Sequence, residues 1–347
     1  MLYLGLDVHS KWFTVAGFIE ETGECVRMPR IGNNLEAISA AFDELPTPRS
    51  GVMESGTNAL PMYRLLRPYF DNLIVVAPNK VWNRQRDAGP KTDGRDALTL
   101  AEELAFGRLK PIYIPDDMLR SYRTLCRGRV QLTQDTTRLV NTLYALLRSW
   151  GYQIEKKLLT KGGRDWLDTV DIPDHAKPVL DLQIERLKDL IRQEGELDTR
   201  IAEIAQTDPV CRLLRTIPYV GPLTAVVLRA EIGDIKRFSS ADRLVSYVGL
   251  DPRVYQSGEH CRYGRLSKHG NSYLRFISVL FAQNAIRGRK DTTFKRRFYR
   301  LCHTHHPNEI KIMVARDFLA VVHSMWRTNT TWRGLPQVTK PVKSSVA

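Results

Sequence analysis

Four acidic residues in the first third of the chain have the types and spacing that phosphodiester chemistry requires. Asp7 lies in Leu2-Tyr-Leu-Gly-Leu-Asp7-Val-His and Glu54 in Val52-Met-Glu54-Ser-Gly, and each ends a short apolar, β-rich run. Asp93 and Asp96 stand three residues apart in Lys91-Thr-Asp-Gly-Arg-Asp-Ala97, at the mouth of a predicted helix and so on one face of it. Carboxylates gathered this way repel one another unless divalent cations neutralise them. Hard oxygen ligands of this kind suit Mg²⁺ (or Mn²⁺), and two such ions about 4 Å apart clamp a phosphodiester. Singly, each acid has a plainer role: Asp7 as a strand-end turn residue, Glu54 or Asp93 as a helix cap. Together, in this order, they read as a metal site.

A second constellation lies in Leu250-Asp-Pro-Arg-Val-Tyr-Gln-Ser-Gly258, followed by Arg262, Arg265, Ser267, Lys268 and His269. Ser257-Gly258 reads first as a turn. It also presents a hydroxyl on a loop flanked by Arg253, Arg262, Arg265 and Lys268, cations able to orient a phosphate and stabilise developing charge. A free serine hydroxyl is a weak nucleophile without such a setting. His303, His305 and His306 beside Cys302 match no common zinc spacing and are read as surface histidines.

These residues need a scaffold. Residues 2–8, 12–19 and 24–31 are predicted strands, 34–44 a helix, 52–54 a strand, 58–69 a helix, 73–77 a buried strand, and 93–106 a closing helix. The order β-β-β-α-β-α-β-α is that of the RuvC or ribonuclease-H-like fold. In that fold the first strand and the strand after the first helix carry metal-binding carboxylates, the places where Asp7 and Glu54 fall. Pro111 and Pro115 mark a boundary. Beyond it, 117–150 and 178–206 have helical spacing, which suggests a coiled-coil arm or dimer interface. From Thr207 the chain resembles a helix-hairpin-helix around Val220-Gly221-Pro222, a ready phosphate site, followed by a long basic loop (251–270) and an apolar helix (271–286). The expected organisation is therefore α/β plus α: a metal-binding domain over 1–115, a coiled-coil region over 116–206, a mainly helical domain over 207–335, and a disordered tail over 336–347.

Composition narrows the partners. The 347 residues carry a net charge of +14. Between Pro252 and Arg300, twelve Lys/Arg oppose two acids, 12 − 2 = +10, and basic residues such as Lys295, Arg296 and Arg297 sit among aromatics. That pattern favours nucleic acid. The five cysteines form no CxxC pair and read as reduced thiols. No apolar run reaches membrane-spanning length and no signal peptide is visible, so a cytoplasmic, nucleoid-associated protein is expected.

The ordered set Gly5-Leu-Asp7, Glu54-Ser-Gly-Thr57, Lys91-Thr-Asp-Gly-Arg-Asp-Ala97, Ile217-Pro-Tyr-Val-Gly221, Val248-Gly-Leu-Asp-Pro-Arg253, Tyr255-Gln-Ser-Gly258 and Ser267-Lys-His-Gly-Asn271 resembles the DEDD transposases of the IS one-ten family of bacterial insertion sequences, over about residues 1–330. The resemblance implies that Asp7, Glu54, Asp93 and Asp96 are the metal-binding catalytic acids and Ser257 the catalytic nucleophile. It further implies a homodimer that assembles into a tetramer on donor and target DNA, guided by a structured bridge RNA from the element, with a covalent 5′-phosphoserine intermediate. The competing reading from the residues alone is a metal-dependent nuclease of the Holliday-junction-resolvase type, in which water attacks and Ser257 only shapes a turn. A non-catalytic nucleic-acid-binding protein is a third, and the intact acid set argues against it.

Overall fold

A computed structural model describes residues 1–78, 92–155, 157–257 and 260–334, with the side chains of residues 29, 254–257, 260–263 and 265 outside the description. The chain divides into two compact units, Met1–Ile114 and Pro115–Ala347.

In the first unit, strands β1 (Leu2–Val8), β2 (Trp12–Ile19), β3 (Cys25–Gly32), β4 (Arg49–Glu54) and β5 (Asn72–Val76) form one sheet of order β3-β2-β1-β4-β5. β1, β2 and β3 run antiparallel, whereas β4 pairs parallel with both β1 and β5. This is the mixed topology of the ribonuclease-H-like fold. Side chains alternate across the sheet. Leu2, Leu4, Leu6 and Met53 enter one apolar cluster with Ile38 and Phe42 of α1 (Leu35–Phe42) and Met62 and Leu66 of α2 (Ala59–Leu66). The opposite face takes Gly5, Val52 and Val76, and α3 (Asp93–Ala105) lies on it through Ala97 and Leu100. Contact there is so close that a Cβ on Gly5 would stand 1.8 Å from the Ala97 carbonyl oxygen.

The second unit is mostly helical. α4 (Asp117–Ser149) and α6 (Lys177–Thr207) are long partners, with the short α5 (Lys161–Leu167) between them in sequence. Arg129 bridges Asp198 at 2.9 Å and Glu194 at 3.1 Å, and Thr136 donates to Glu194 at 2.7 Å. These pairs fix the two helices antiparallel. Their apolar stripe is satisfied within the chain: Leu143, Leu147, Leu158, Leu180 and Leu187 bury one another at one end. At the other, Cys126, Ile201 and Ala205 join the large core of the helices that follow. Left outside are Trp150, Leu159, Val179 and Leu182, all at least 45 % exposed. Leu182 counts toward the predicted stripe by spacing, yet it faces away from the partner helix.

Helices α7 (Pro209–Leu214), α8 (Pro222–Ile232), α9 (Ala241–Val248), α10 (Ser272–Arg287), α11 (Thr293–Leu301) and α12 (Pro307–Thr328) complete the unit. α7 and α8 flank the predicted hairpin turn. Tyr219 in that turn adopts φ +70, and its hydroxyl accepts from the Lys290 amide at 2.5 Å. One sequence expectation is corrected. Residues 251–270 are not a long loop: β6 (Pro252–Ser257) and β7 (His260–Leu266) pair antiparallel as a two-stranded ribbon. The density of arginines obscured the β-forming Val254, Tyr255 and Tyr263. Among the described residues no helix is long and apolar enough to cross a membrane.

Candidate metal centre and basic hairpin

The register of the first sheet builds the acid cluster. Leu6 of β1 pairs with Met53 of β4, so Asp7 and Glu54 follow side by side at the ends of parallel strands. Alternation turns both away from the Leu6 cluster, toward the face that carries α3. Because Ala97 sits on Gly5, the N-terminal turn of α3, with Asp93 and Asp96 in it, comes to the same end of the sheet as Asp7. Thus a glycine two residues before Asp7 sets how near the helix-borne acids approach. All four predicted acids come from one edge and one face of the fold.

A residue outside the predicted set stands at the centre. His9 Nε2 lies 3.3 Å from an Asp7 carboxylate oxygen and 3.3 Å from an Asp93 carboxylate oxygen. One ligand atom from each of the three residues falls within 4.8 Å of the others. Its main chain is pinned. The His9 amide donates to the Trp12 carbonyl at 2.9 Å, and Asn33 Nδ2 donates to the His9 carbonyl at 3.0 Å. The signal for it was the Asp-x-His spacing, which places both side chains on one side of an extended chain.

The donor set fits divalent cations. Converging carboxylate oxygens with one imidazole nitrogen are ligands for such ions, and a helix N-terminus adds positive partial charge that offsets part of the acid repulsion.

The hairpin with Ser257 belongs to the second unit. Ser257 ends β6 and pairs in register with His260. The side chains of Ser257, Arg262 and Arg265 lie outside the described residues, as does Lys91. At the ribbon's base, Asp251 accepts from the Ser267 hydroxyl at 2.7 Å and the Ser246 hydroxyl at 2.9 Å. Burial alone would raise the Asp251 pKa; these hydroxyls, its own backbone amide and the Arg316 charge together hold it below the usual carboxylate value. Arg253 and Lys268 are exposed on either side. Next to them Asn271 caps α10, accepting from the Tyr273 and Leu274 amides at 3.0 Å. Its amide nitrogen donates to Glu231 at 2.7 Å. Glu231 is only 1 % exposed and is gripped from α4 by Arg127 through two bonds of 2.7 and 2.9 Å. That carboxylate hydrogen bond is the leading cause of a raised Arg127 pKa. Sequence reading missed Glu231, since a lone glutamate in an apolar helix carries no spacing signal.

The basic residues of α11 divide in role. Arg296 is exposed and bonded to Asp291 at 2.7 and 2.9 Å. Arg297 faces Asp317 at 2.9 Å, where burial is the leading cause of a raised Asp317 pKa. Lys295 donates to the Gly288 carbonyl at 2.8 Å and so partly serves the fold. Arg296, Arg297, Arg300 and Trp332 line a cleft of about 670 Å³. His306 caps α12 by accepting from the Asn308 amide at 3.2 Å. Cys25, Cys126, Cys211 and Cys302 are free thiols, and burial pushes the Cys126 pKa up to about 12.

Two family models match this chain. One for DEDD transposases of the IS110 type covers residues 4–151, and one described as the IS116/IS110/IS902 transposase family covers residues 211–299. The chain is 29% identical to a putative transposase, y4qE, of Sinorhizobium fredii, over 65% of the chain and 56% of that protein. It is 24% identical to the transposase for insertion sequence element IS1111A of Coxiella burnetii, over 84% of the chain and 80% of the relative. With an uncharacterized 44.8 kDa protein of insertion element IS116 from Streptomyces clavuligerus it shares 25% identity over 98% of both. The chain thus spans little more than half of the first relative and at least four-fifths of the other two.

Proposed function

Because the chain belongs to the IS116/IS110/IS902 family of insertion-sequence transposases, we propose that it is an RNA-guided DNA recombinase that cuts and rejoins strands through Ser257. The observation that carries the reading is the convergence of the Asp7 and Asp93 carboxylates at a sheet edge that also holds Glu54 and Asp96. Asp7, Glu54, Asp93 and Asp96 would hold Mg²⁺ or Mn²⁺, which supplies charge neutralisation at a scissile phosphate. In the proposed step the Ser257 oxygen bonds to phosphorus as the bond from phosphorus to the 3′ oxygen breaks. The serine proton leaves to a base, and the 3′ oxygen departs as a hydroxyl after taking up a proton. Attack by a 3′-hydroxyl from the other strand reverses these bonds and frees the serine. The bond energy of the cut strand is conserved, so rejoining needs no nucleotide cofactor.

Arg253, Arg262, Arg265 and Lys268 around the serine would balance charge on the pentavalent phosphorus. Lys295, Arg296 and Arg297 would contact DNA or RNA backbone, Arg296 after exchanging Asp291 for a phosphate. A structured RNA from the element would pair with donor and target DNA and supply the sequence choice. Val179 and Leu182 on α6, with Trp150 and Leu159 in the connection that follows α4, offer an apolar surface for a second copy, two such dimers forming the tetramer. The working site is cytoplasmic, at the nucleoid.

The test is a strand-exchange reaction with labelled donor DNA, target DNA and guide RNA, resolved on a denaturing gel. Wild-type protein with Mg²⁺ should yield a protein-linked strand, and Ser257→Ala should bind both nucleic acids yet yield none. Free nicked ends from wild type, without any adduct, would establish the resolvase-like reaction instead.

A further inference from the structure

His9 sits where the acid site closes, and its geometry differs from that of an ordinary ion pair. Nε2 is 3.3 Å from each of two carboxylate oxygens, yet this buried atom makes a hydrogen bond to neither. A ring nitrogen that served only as a hydrogen-bond donor would aim its N–H at one of these oxygens. Here Nε2 stands equally far from both oxygens and hydrogen-bonds to neither. Adjacent ligands on an octahedral ion with bonds of about 2.1 Å stand about 3 Å apart, close to both observed separations. The ring is presented by a main chain fixed at both its amide and its carbonyl, and it lies 5.6 Å from the Trp12 ring. Those constraints fix the main chain that carries the imidazole at the site in advance of any ion.

We infer that His9 Nε2 is a direct cation ligand beside Asp7 and Asp93, making this an oxygen–nitrogen–oxygen site that prefers a first-row transition ion to Mg²⁺. The inference rests on the reading of the acid cluster as a metal centre and adds to it a ligand and a selectivity. Mg²⁺ demands oxygen donors and gives up its water reluctantly, whereas an imidazole nitrogen suits transition ions. The role of the ring is to hold the ion through a nitrogen donor that adds no negative charge to that of the carboxylates already there.

Mn²⁺ is the probe, with the full-length chain. Binding is read from the loss of the free Mn²⁺ electron paramagnetic resonance signal, and the ligand from electron spin-echo envelope modulation. Wild-type protein should show a directly bonded ¹⁴N, and protein labelled with ¹⁵N-histidine should show the corresponding ¹⁵N coupling, a measurement that needs no variant. His9→Gln should lose the coupling and bind Mn²⁺ about tenfold more weakly, with Mg²⁺ competing better for the site than in wild type. If Asp7→Asn abolishes Mn²⁺ binding but wild type shows no nitrogen coupling, the inference is wrong and the acid metal centre stands. If wild type binds no Mn²⁺, or Asp7→Asn leaves its binding unchanged, the metal centre fails and the inference with it.

Discussion

Asp7, His9 and Asp93 are held by a sheet and a helix packed so closely that Gly5 has no room for a methyl group, whereas Ser257 ends a two-stranded ribbon anchored at its base. The base contacts are Asp251 with Ser246 and Ser267, and Asn271 with the buried Glu231. A two-stranded ribbon has little stability of its own; its position is inherited from the helices beneath. The acid centre therefore depends on core packing, and the serine on a few buried polar contacts. Core packing responds to a change of volume as small as one methylene, whereas a polar anchor fails when one partner is removed. Mutations that damage one region should leave the other intact, because the two belong to separate compact units.

The largest effect should follow from the acids themselves. Asp93→Asn removes one of the proposed metal ligands without touching the core, since Asp93 is exposed. Strand exchange should fall by a factor of 100 or more, on the order of the several kcal/mol a metal supplies. The melting temperature should stay level or rise, because one of two neighbouring like charges is gone. Full exchange activity in EDTA would remove the metal from the account.

Gly5→Ala sharpens the comparison from the packing side. Its Cβ would meet backbone, which cannot swing aside, so urea unfolding should show a loss of about 3 kcal/mol. Divalent-ion binding should weaken too, since α3 carries Asp93 and must move. Tryptic protection of the second unit should be unchanged.

Glu231→Gln is the converse. It keeps the shape but removes the charge that Arg127 and Asn271 hold, and should cost about 2 kcal/mol. Divalent-ion binding at the acid centre should persist while formation of the serine adduct declines. An equal decline in both would mean that the two regions share one fold-wide defect.

Smaller still is Asp251→Asn, at about 1 kcal/mol. The folded-state pKa of Asp251 is depressed, so its stabilisation is present above the ordinary aspartate pKa and is lost as pH falls through the folded value. The difference in urea midpoint between wild type and variant should thus be largest near neutrality and shrink in strong acid. A difference independent of pH would assign the effect to shape, with no part for the charge.

The acid half of the molecule was far more legible in sequence than the serine half. Alternating apolar runs give the strands, and strand ends give Asp7 and Glu54, because period-2 patterning and turn residues are local signals. His9 was visible in spacing but carried no weight beside the acids. Glu231 was hidden, since its meaning comes from Arg127 and Asn271, which lie 104 and 40 residues away. The ribbon was hidden for another reason: its arginines read as a loop although Val254, Tyr255 and Tyr263 favour strand. In the paired helices, spacing identified the stripe but not its partner. Burial of Leu143, Leu147 and Leu187 against one another shows that most of it is satisfied within the chain.

The central claim is that a phosphodiester is transferred to one particular hydroxyl. Trypsin cuts after Arg253 and Arg262, which releases residues 254–262 as one peptide containing Ser257 and Tyr255. Reaction with target DNA and guide RNA, nuclease trimming and mass spectrometry of that peptide localise any nucleotide it retains. A 5′-phosphonucleotide on Ser257, present in wild type and absent from Ser257→Ala, is the predicted result. A nucleotide on Tyr255, or a peptide that carries none while strands are still cut, would contradict it.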